Sequence, residues 1–360
     1  RIYPPCDFIK EAKNGNLPNA ARAIYEQNVL GETCGLICPS YLCMKACVRA
    51  KIDKAINIPE IQAYIMQQAA SELANFFIDK TTKSNGKKVA VVGLGPAGIG
   101  ATAELLKQGF SVDAYEKADI AGGALNLIPD YRLPHKILAK EWQILAQSSL
   151  LTVYFNYDIE DYTVLLDKGY CAVIIATGEQ KPRALHIKGD ELAINYSQYL
   201  QNPTLYKAKQ KIAVIGGGLV AVDCAVTACI SGAAEVEMFV RRGFNDMRIT
   251  EFERETLLEK NVNINAMTRV AEIKKNNGLL DLYLLKTKFD ENGKLVDDGS
   301  VKTIKQKFDL VIYALGNERS EELKIRDKFF YAGDLVNGSS TAVQALASGK
   351  QAALYLCAHI

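Results

Sequence analysis

The sequence is poor in histidine, in net charge and in long apolar runs. Three histidines in 360 residues, with no Ser/His/Asp arrangement, disfavour hydrolytic chemistry. A formal net charge of +2 indicates neither a nucleic-acid partner nor a membrane surface. No apolar run approaches the roughly 18–20 residues that a membrane span needs. We therefore expect no nucleic acid and no membrane among the partners.

Cysteine is less scarce: there are nine, an odd number, and four of them fall between residues 34 and 47. Such clustering favours metal or cluster ligation in a reducing compartment over a disulfide framework. We therefore expect a cytoplasmic protein. The sequence begins at Arg1 and shows no signal peptide, so we expect that the native start precedes it.

The first 82 residues have helical periodicity, at Phe8–Lys13, Leu17–Asn28 and Ile58–Ile78. Between the second and third segments lie Cys38, Cys43 and Cys47, on a proline-containing loop and the turn after it. This layout suits iron–sulfur clusters. Zinc also accepts clustered thiolates, and reduced core cysteines without a ligand are a third interpretation.

A glycine-rich motif follows a short apolar strand, Val89–Val92, and opens a helix. It consists of Gly93, Gly95, Pro96, Ala97 and Gly98. Glycines here permit a tight turn, let the backbone approach a pyrophosphate and allow close helix packing. Glu116, about twenty residues further on, can accept hydrogen bonds from a ribose hydroxyl. The motif predicts nucleotide binding; the alternative is a strand–helix turn without a ligand.

A second motif repeats the pattern after Lys211–Ile215. It contains Gly216, Gly217, Gly218, Leu219, Val220 and, in place of the third glycine, Ala221. The following strand leads into Arg241 and Arg242 where the first motif has Glu116, and Arg248 lies six residues later. Guanidinium groups bind a 2′-phosphate that a carboxylate would repel. Two bonds of about 1.5 kcal/mol each would favour NADP over NAD by roughly a hundredfold, unless these are surface arginines.

Each motif is followed by a strand that ends in small residues, Ala176–Gly178 and the segment Ala314, Leu315, Gly316. This repeat predicts an α/β fold of two nested Rossmann-like dinucleotide-binding domains, preceded by an α-helical iron–sulfur domain. We place the helical domain at residues 1–82, the FAD domain at 83–184 and 317–360, and the NADPH domain at 185–316. Cys224 and Cys229 are five apart on one helix and do not share a face, so no dithiol centre is expected.

Two further segments carry candidate FAD contacts. The loop after the first unit's second strand contains Gly123, Leu125 and Arg132, and Arg132 either faces a phosphate or flavin oxygen or is a surface residue. Near the end of the chain, Gly333 and Asp334 precede a helix that starts near Thr341. Asp334 either accepts from a ribityl hydroxyl or only caps that helix.

Several stretches together resemble one family over essentially the whole chain. They are Cys34–Cys47, Ile56–Gln62, Gly122–Pro134, Arg241–Arg248 and Gly333–Ala353. They are similar to the NADPH-dependent glutamate synthase small subunit and to the N-terminal electron-input module of dihydropyrimidine dehydrogenase. Arg241–Arg248 is closer to the latter.

The resemblance implies the ligands of each cofactor. For FAD these are Gly93, Gly95, Pro96, Ala97, Gly98, Glu116, Gly123, Leu125, Arg132, Gly333, Asp334 and Thr341. For NADPH they are Gly217, Gly218, Leu219, Val220, Arg241, Arg242, Arg248, Ala314, Leu315 and Gly316. For [4Fe-4S] clusters they are Cys38, Cys43, Cys47 and Gln62, while Cys34 matches a position that is not a ligand. The family's preceding run of cysteines has no counterpart in this sequence, so we expect incomplete clusters.

The resemblance implies an NADPH:FAD oxidoreductase that passes electrons through [4Fe-4S] clusters to an FMN-containing domain or subunit of dihydropyrimidine dehydrogenase type. A glutamate synthase small subunit is the nearest alternative. A non-catalytic flavin- or nucleotide-binding scaffold that has lost its clusters and a zinc-bearing flavoprotein are the others. Assembly into a homo-oligomer is left open.

Overall fold

The computed structural model describes residues 5–38, 43–44, 46–69, 83–179, 181–299, 303–318 and 327–360. The chain forms two compact units. The first comprises Arg1–Asn126, Asp130–Gln180 and Glu318–Ile360, and the second Leu127–Pro129 and Lys181–Asn317. Of the four crossings between the units, those at residues 180/181 and 317/318 lie close to the predicted ends of the NADPH domain, and the other two flank Leu127–Pro129. The N-terminal helices belong to the first unit.

The helices include amphipathic ones near the N-terminus and two, after the glycine motifs, that are buried along most of their length. In chain order they are α1 Pro5–Lys13, α2 Leu17–Tyr25, α3 Gly31–Ile37, α4 Ile58–Gln68, α5 Pro96–Lys107, α6 His135–Ala146, α7 Thr163–Asp167, α8 Tyr196–Gln201, α9 Leu219–Ile230, α10 Glu251–Glu259, α11 Asp334–Asn337 and α12 Ala342–His359. The last part of the predicted helix Ile58–Ile78, from residue 70 onwards, lies outside the described residues. None of the helices in the described part is long and apolar enough to cross a membrane.

The described strands differ in burial: those at the centre of each parallel sheet are short and mostly buried, as such sheets require, and others are longer or more exposed. They are β1 Lys88–Val92, β2 Ser111–Tyr115, β3 Leu151–Tyr154, β4 Ala172–Ile175, β5 Lys181–Pro182, β6 Ile194–Asn195, β7 Lys211–Ile215, β8 Glu235–Val240, β9 Asn263–Ala266, β10 Thr268–Asn276, β11 Leu279–Phe289, β12 Leu295–Asp297, β13 Ile304–Phe308, β14 Leu310–Tyr313, β15 Asn317–Glu318 and β16 Phe329–Tyr331.

Each unit contains a five-stranded parallel sheet of the same design. The first has the order β16-β4-β1-β2-β3, and the second β6-β14-β7-β8-β9. In both, the strand before the glycine motif is central and its neighbour on one side is the next strand along the chain. The second unit adds an antiparallel sheet of β10, β11 and β12, with β13 on β11. The predicted α/β class with two Rossmann-like domains is confirmed.

Small residues bring α5 and α12 into close contact. A Cβ atom at Gly349 would overlap the carbonyl oxygen of Ala97, and one at Gly100 would overlap that of Leu346. Ala101, Ala345 and Ala353 are also buried. The C-terminal helix therefore packs directly on the helix that begins with the first glycine motif.

The N-terminal helices pack on the first Rossmann-like domain through a buried carboxylate. Glu141 of α6 accepts hydrogen bonds from the backbone N–H of Glu32 (2.7 Å) and of Thr33 (3.0 Å). These N–H groups lie in the first turn of α3, where helices have unpaired donors and where negative charge is favourable. Burial raises the pKa of Glu141 to about 7, against the opposing effect of these hydrogen bonds.

This raised pKa predicts a pH dependence of stability. Because the pKa of Glu141 is higher in the folded protein than its ordinary value of 4.5, its contribution to the free energy of unfolding is greatest below pH ~4.5 and is lost as pH rises through about 7. Glu141→Gln is expected to be destabilised by about 1–3 kcal/mol, because one buried N–H loses its acceptor. It should also lose this part of the pH dependence. Urea unfolding at pH 5 and pH 8 measures both effects.

The matched control is Glu160→Gln, which changes an exposed glutamate of the same unit. It should leave both the stability and its pH dependence close to wild type. If Glu141→Gln keeps the wild-type difference between pH 5 and pH 8, the buried carboxyl does not titrate in this range.

Candidate functional site

The first glycine motif forms a tight turn at the carboxyl end of β1. Gly93 has a φ of +91°, which favours glycine. Its N–H donates to the carbonyl oxygen of Tyr115 at 2.8 Å. A Cβ atom there would stand 2.7 Å from the carbonyl oxygen of Ala176. The small residues that follow β4 therefore pack directly against the glycine turn. This contact explains why the glycine motif and the small residues after a later strand occur together in both halves of the sequence.

A second glycine-containing loop completes a backbone cradle around this turn. The N–H of Gly122 donates to the carbonyl oxygen of Leu94 at 2.8 Å. A Cβ at Gly123 would lie 2.9 Å from the Cα of Gly95, and Gly95 is the N-cap of α5. The cradle thus lies beside a helix N-terminus, whose free N–H groups and dipole suit a pyrophosphate. This geometry fits the dinucleotide part of FAD.

Glu116 is buried at the end of β2 and holds the loop in place. Its carboxylate accepts from the N–H of Leu94 (2.7 Å) and of Ala118 (3.0 Å). An ionised carboxylate has about four acceptor positions, so Glu116 retains capacity for ribose hydroxyl groups. The sequence identified this residue but could not show that it also fixes the glycine turn.

The C-terminal candidates lie where α12 meets this motif. A Cβ at Gly333 would lie 2.7 Å from the Cβ of Ala97, and its N–H donates to Ser348 Oγ at 2.9 Å. Ser348 was not predicted, since only the close helix packing brings it there.

Asp334 is not the residue that caps α12. Thr341 is the N-cap, and its hydroxyl accepts from the N–H of Gln344 at 3.4 Å. The Asp334 carboxylate instead accepts from the hydroxyl of Ser340, and burial raises its pKa although Ser340 opposes the rise. Capping of α12 therefore does not explain Asp334. Its contact with a ribityl hydroxyl stays a prediction, as does the role of the half-buried Arg132.

The second glycine motif repeats the geometry of the first. The N–H of Gly216 donates to the carbonyl oxygen of Phe239 at 3.1 Å, and a Cβ at Gly216 would lie 2.5 Å from the carbonyl oxygen of Ala314. Gly218 is the N-cap of α9, which begins with Leu219 and Val220. Gly217 packs against Val240. The second motif is thus also a backbone cradle at a helix N-terminus.

By sequence alone, Glu116 of the first motif corresponds to Arg241 and Arg242 of the second, and the hydrogen bonds of the two motifs shift this match by one residue. Gly93 bonds to Tyr115 and Gly216 bonds to Phe239, so the counterpart of Glu116 is Val240. Arg241 and Arg242 begin one position later. The second site therefore has no carboxylate at this position, and its cations lie on the loop just beyond the strand.

The three arginines that we predict to bind the 2′-phosphate, Arg241, Arg242 and Arg248, have exposed side chains. Contacts of their backbones fix the loop Arg241–Arg248, called the arginine loop below. The carbonyl of Arg241 accepts from Thr287 Oγ1 (2.7 Å) and that of Arg242 from the N–H of Met267 (3.0 Å). Arg248 forms a parallel bridge with Gly218, which brings it beside the glycine motif. Within the described residues, none of the three guanidinium groups forms an ion pair with a carboxylate. Their charges remain available for an anion.

The cysteine-rich segment gives a less complete picture. Cys38 follows the last residue of α3, and burial, together with Cys43, raises its pKa to about 11. The amide nitrogen of Gln62 donates to the carbonyl oxygen of Gly31 at 2.6 Å. Backbone N–H groups, first that of Ile56, lower the pKa of Cys47.

Across the described ranges, no group of three His, Cys, Asp or Glu residues lies close enough to hold a metal ion. The candidate ligands among the described residues therefore do not by themselves fit a complete cluster. Cys34, predicted not to be a ligand, is buried, and burial raises its pKa to about 12. Cys224 is fully buried in the core of the second unit and Cys229 packs beside it, as expected for core residues.

Comparisons with known proteins agree with this architecture. Residues 87–335 match the family "pyridine nucleotide-disulphide oxidoreductase", and residues 3–74 match "dihydropyrimidine dehydrogenase domain II, 4Fe-4S cluster". The NAD-dependent dihydropyrimidine dehydrogenase subunit PreT of Escherichia coli (strain K12) is 30% identical over 97% of this chain and 86% of its own length. The glutamate synthase [NADPH] small chain of Azospirillum brasilense is 28% identical over 96% and 82%.

Solved structures show the same fold at low identity. The Mycobacterium tuberculosis FprA structure in complex with NADPH superimposes with a TM-score of 0.64 at 17% identity, over 76% of this chain and 84% of that chain. Thioredoxin reductase of T. acidophilum gives 0.58 at 18% identity, over 76% and 99%. The family matches and the relatives together identify an NAD(P)H-dependent flavin oxidoreductase with an N-terminal 4Fe-4S-type domain, similar to the dihydropyrimidine dehydrogenase subunit and the glutamate synthase small chain. The chain therefore belongs to the pyridine nucleotide-disulphide oxidoreductase family.

Proposed function

We propose that this oxidoreductase uses NADPH in preference to NADH and reduces FAD as the electron-input component of a larger enzyme. The names of the relatives do not decide the nucleotide, because one is called NAD-dependent and another [NADPH]. The observation that supports the proposal is the structure of the arginine loop beside the second glycine motif. Val240 replaces the carboxylate, and the bridge to Gly218 brings Arg248 beside the helix N-terminus.

The chain's own residues would bind and orient the two nucleotides. The N-termini of α5 and α9 offer free N–H groups to the two pyrophosphates. Glu116 accepts from the ribose of FAD, and Arg242 and Arg248 bind the 2′-phosphate of NADPH through charge-assisted bonds. Bound FAD would supply the redox chemistry, taking up a hydride from the nicotinamide and a proton from solvent.

We also propose a catalytic partner that contains FMN, of dihydropyrimidine dehydrogenase type. The names of the relatives describe a subunit and a small chain, which supports an assembly. The similarity of Arg241–Arg248 to the dihydropyrimidine dehydrogenase module favours this partner over that of glutamate synthase. A homo-oligomer would be compatible with either.

Anaerobic stopped-flow spectroscopy tests the proposal. The purified protein should show flavin absorption near 450 nm that NADPH bleaches at least tenfold more efficiently than NADH, as a 2′-phosphate contact of one or two hydrogen bonds would produce. A colourless protein that binds nucleotide without turnover would support the scaffold alternative instead. Equal bleaching by both nucleotides would leave the oxidoreductase intact but remove the NADPH preference.

A further inference from the structure

The loop that carries the three arginines has a middle section that the glycine motif does not hold. Its beginning is fixed by the backbone bonds of Arg241 and Arg242, and its end by the bridge of Arg248 to Gly218. Between them, Phe244–Asp246 forms a single exposed turn. The N–H of Gly243 donates to Asp246 Oδ2 at 3.0 Å, which closes the turn but does not attach it to the rest of the unit.

Arg254 of α10 makes this attachment from outside the loop. The centre of its guanidinium group lies 4.6 Å from the ring centre of Phe244. Its Nη1 also donates to the carbonyl oxygen of Phe244 at 3.3 Å. A guanidinium group can stack on a ring and donate in its own plane at the same time. Arg254 therefore holds both the side chain and the backbone of Phe244.

The helix that carries Arg254 is itself fixed at the end nearest the loop. Thr250 is its N-cap, and the N–H of Thr250 donates to the carboxylate of Glu253 at 2.8 Å. Next to Arg248, Met247 is buried at 5% exposure against the second glycine motif. The turn is thus clamped between a rigid helix start and a buried anchor.

We propose that Arg254 is a positioning residue for 2′-phosphate selectivity, acting through Phe244 without touching the nucleotide. It fixes the turn so that Arg242, before it, and Arg248, after it, converge on one phosphate. Without Arg254 the turn would be free to move, and the two guanidinium groups would lose part of their fixed separation. This inference rests on the proposed use of NADPH.

The test compares Arg254→Met, Phe244→Leu and the double variant with wild type. Two quantities are measured on the full chain: the NADPH/NADH ratio of kcat/KM for flavin reduction, and the Kd of 2′,5′-ADP against that of AMP by calorimetry. Calorimetry needs no redox step. Lys260→Met, which removes an exposed cation at the other end of α10, is the control for charge alone and should behave as wild type.

Each single variant is expected to lower both the NADPH/NADH ratio and the preference for 2′,5′-ADP by about fivefold, the size of a surface cation–π contact. The effect should appear mainly in KM for NADPH, and NADH kinetics should change less than twofold. The double variant should lose no more than Arg254→Met alone, because the ring contact that Phe244→Leu removes is already absent in Arg254→Met. Arg254→Lys, which keeps the charge but not the planar fork, should recover part of the ratio.

Two results would overturn the inference: an unchanged ratio in Arg254→Met, or a loss in Arg254→Met that Phe244→Leu does not share. The second would show that Arg254 does not act through the side chain of Phe244. A wild-type protein without preference for NADPH and for 2′,5′-ADP would instead refute the proposed function, before any variant is compared.

Discussion

Gly349→Ala is expected to purify with less than a tenth of the wild-type FAD content. A methyl group at this position would overlap the carbonyl oxygen of Ala97, which lies in the first turn of α5 beside the proposed pyrophosphate site. Helix propensity alone favours alanine over glycine by about 1 kcal/mol. Overpacking costs about 1–3 kcal/mol or more, and here the atom that is struck belongs to the backbone of a second helix. We therefore expect a net loss of stability together with the loss of FAD.

The ratio of flavin to protein absorbance and urea unfolding of the same samples measure the two effects. Ala347→Ser, which adds one heavy atom to the half-buried outer side of the same helix, should retain FAD and wild-type stability. Gly100→Ala should resemble Gly349→Ala, because its Cβ would overlap the carbonyl oxygen of Leu346 on the opposite side of the contact. Full FAD content in Gly349→Ala would show that the contact of α5 with α12 does not control the site.

Features set by local sequence could be predicted well. The strand Val89–Val92 was predicted to within one residue of its observed limits, because short apolar runs between turn residues are typical of buried parallel strands. The glycine motifs were equally clear, since tight turns with helix N-termini behind them need specific residues at fixed spacing.

Features set by distant parts of the chain could not be predicted. Glu141 contacts backbone groups 109 and 108 residues away, and nothing around Glu141 in the sequence indicates a buried acceptor. Arg241 and Arg242 were matched to Glu116 because each follows the strand after its glycine motif, and only the strand-end hydrogen bonds of Gly93 and Gly216 show that Val240 is the counterpart. Arg254 and Phe244 are ten residues apart on a helix and a turn, a separation without a regular pattern.

The double variant Arg242→Ala with Arg248→Ala is expected to lower kcat/KM for NADPH by roughly a hundredfold and to change that for NADH by less than threefold. Each guanidinium group would contribute about 1.5 kcal/mol through a charge-assisted bond, and the two together correspond to about two orders of magnitude in affinity. NADH lacks the 2′-phosphate and makes no such bond. Anaerobic flavin reduction over a range of nucleotide concentrations measures both parameters.

Lys207→Ala with Lys260→Ala is the matched control, because it removes two exposed cations from the same unit outside the arginine loop. It should reduce NADPH use only slightly, and only at low salt, since charges beyond about 10 Å are screened at 0.1 M ionic strength. Equal losses with NADPH and NADH in the arginine variant would mean that Arg242 and Arg248 support the fold of the loop and do not recognise the phosphate. If the arginine variant loses activity with NADPH selectively and the lysine control does not, direct contacts recognise the phosphate. A long-range electrostatic field would respond to the removal of either pair of charges.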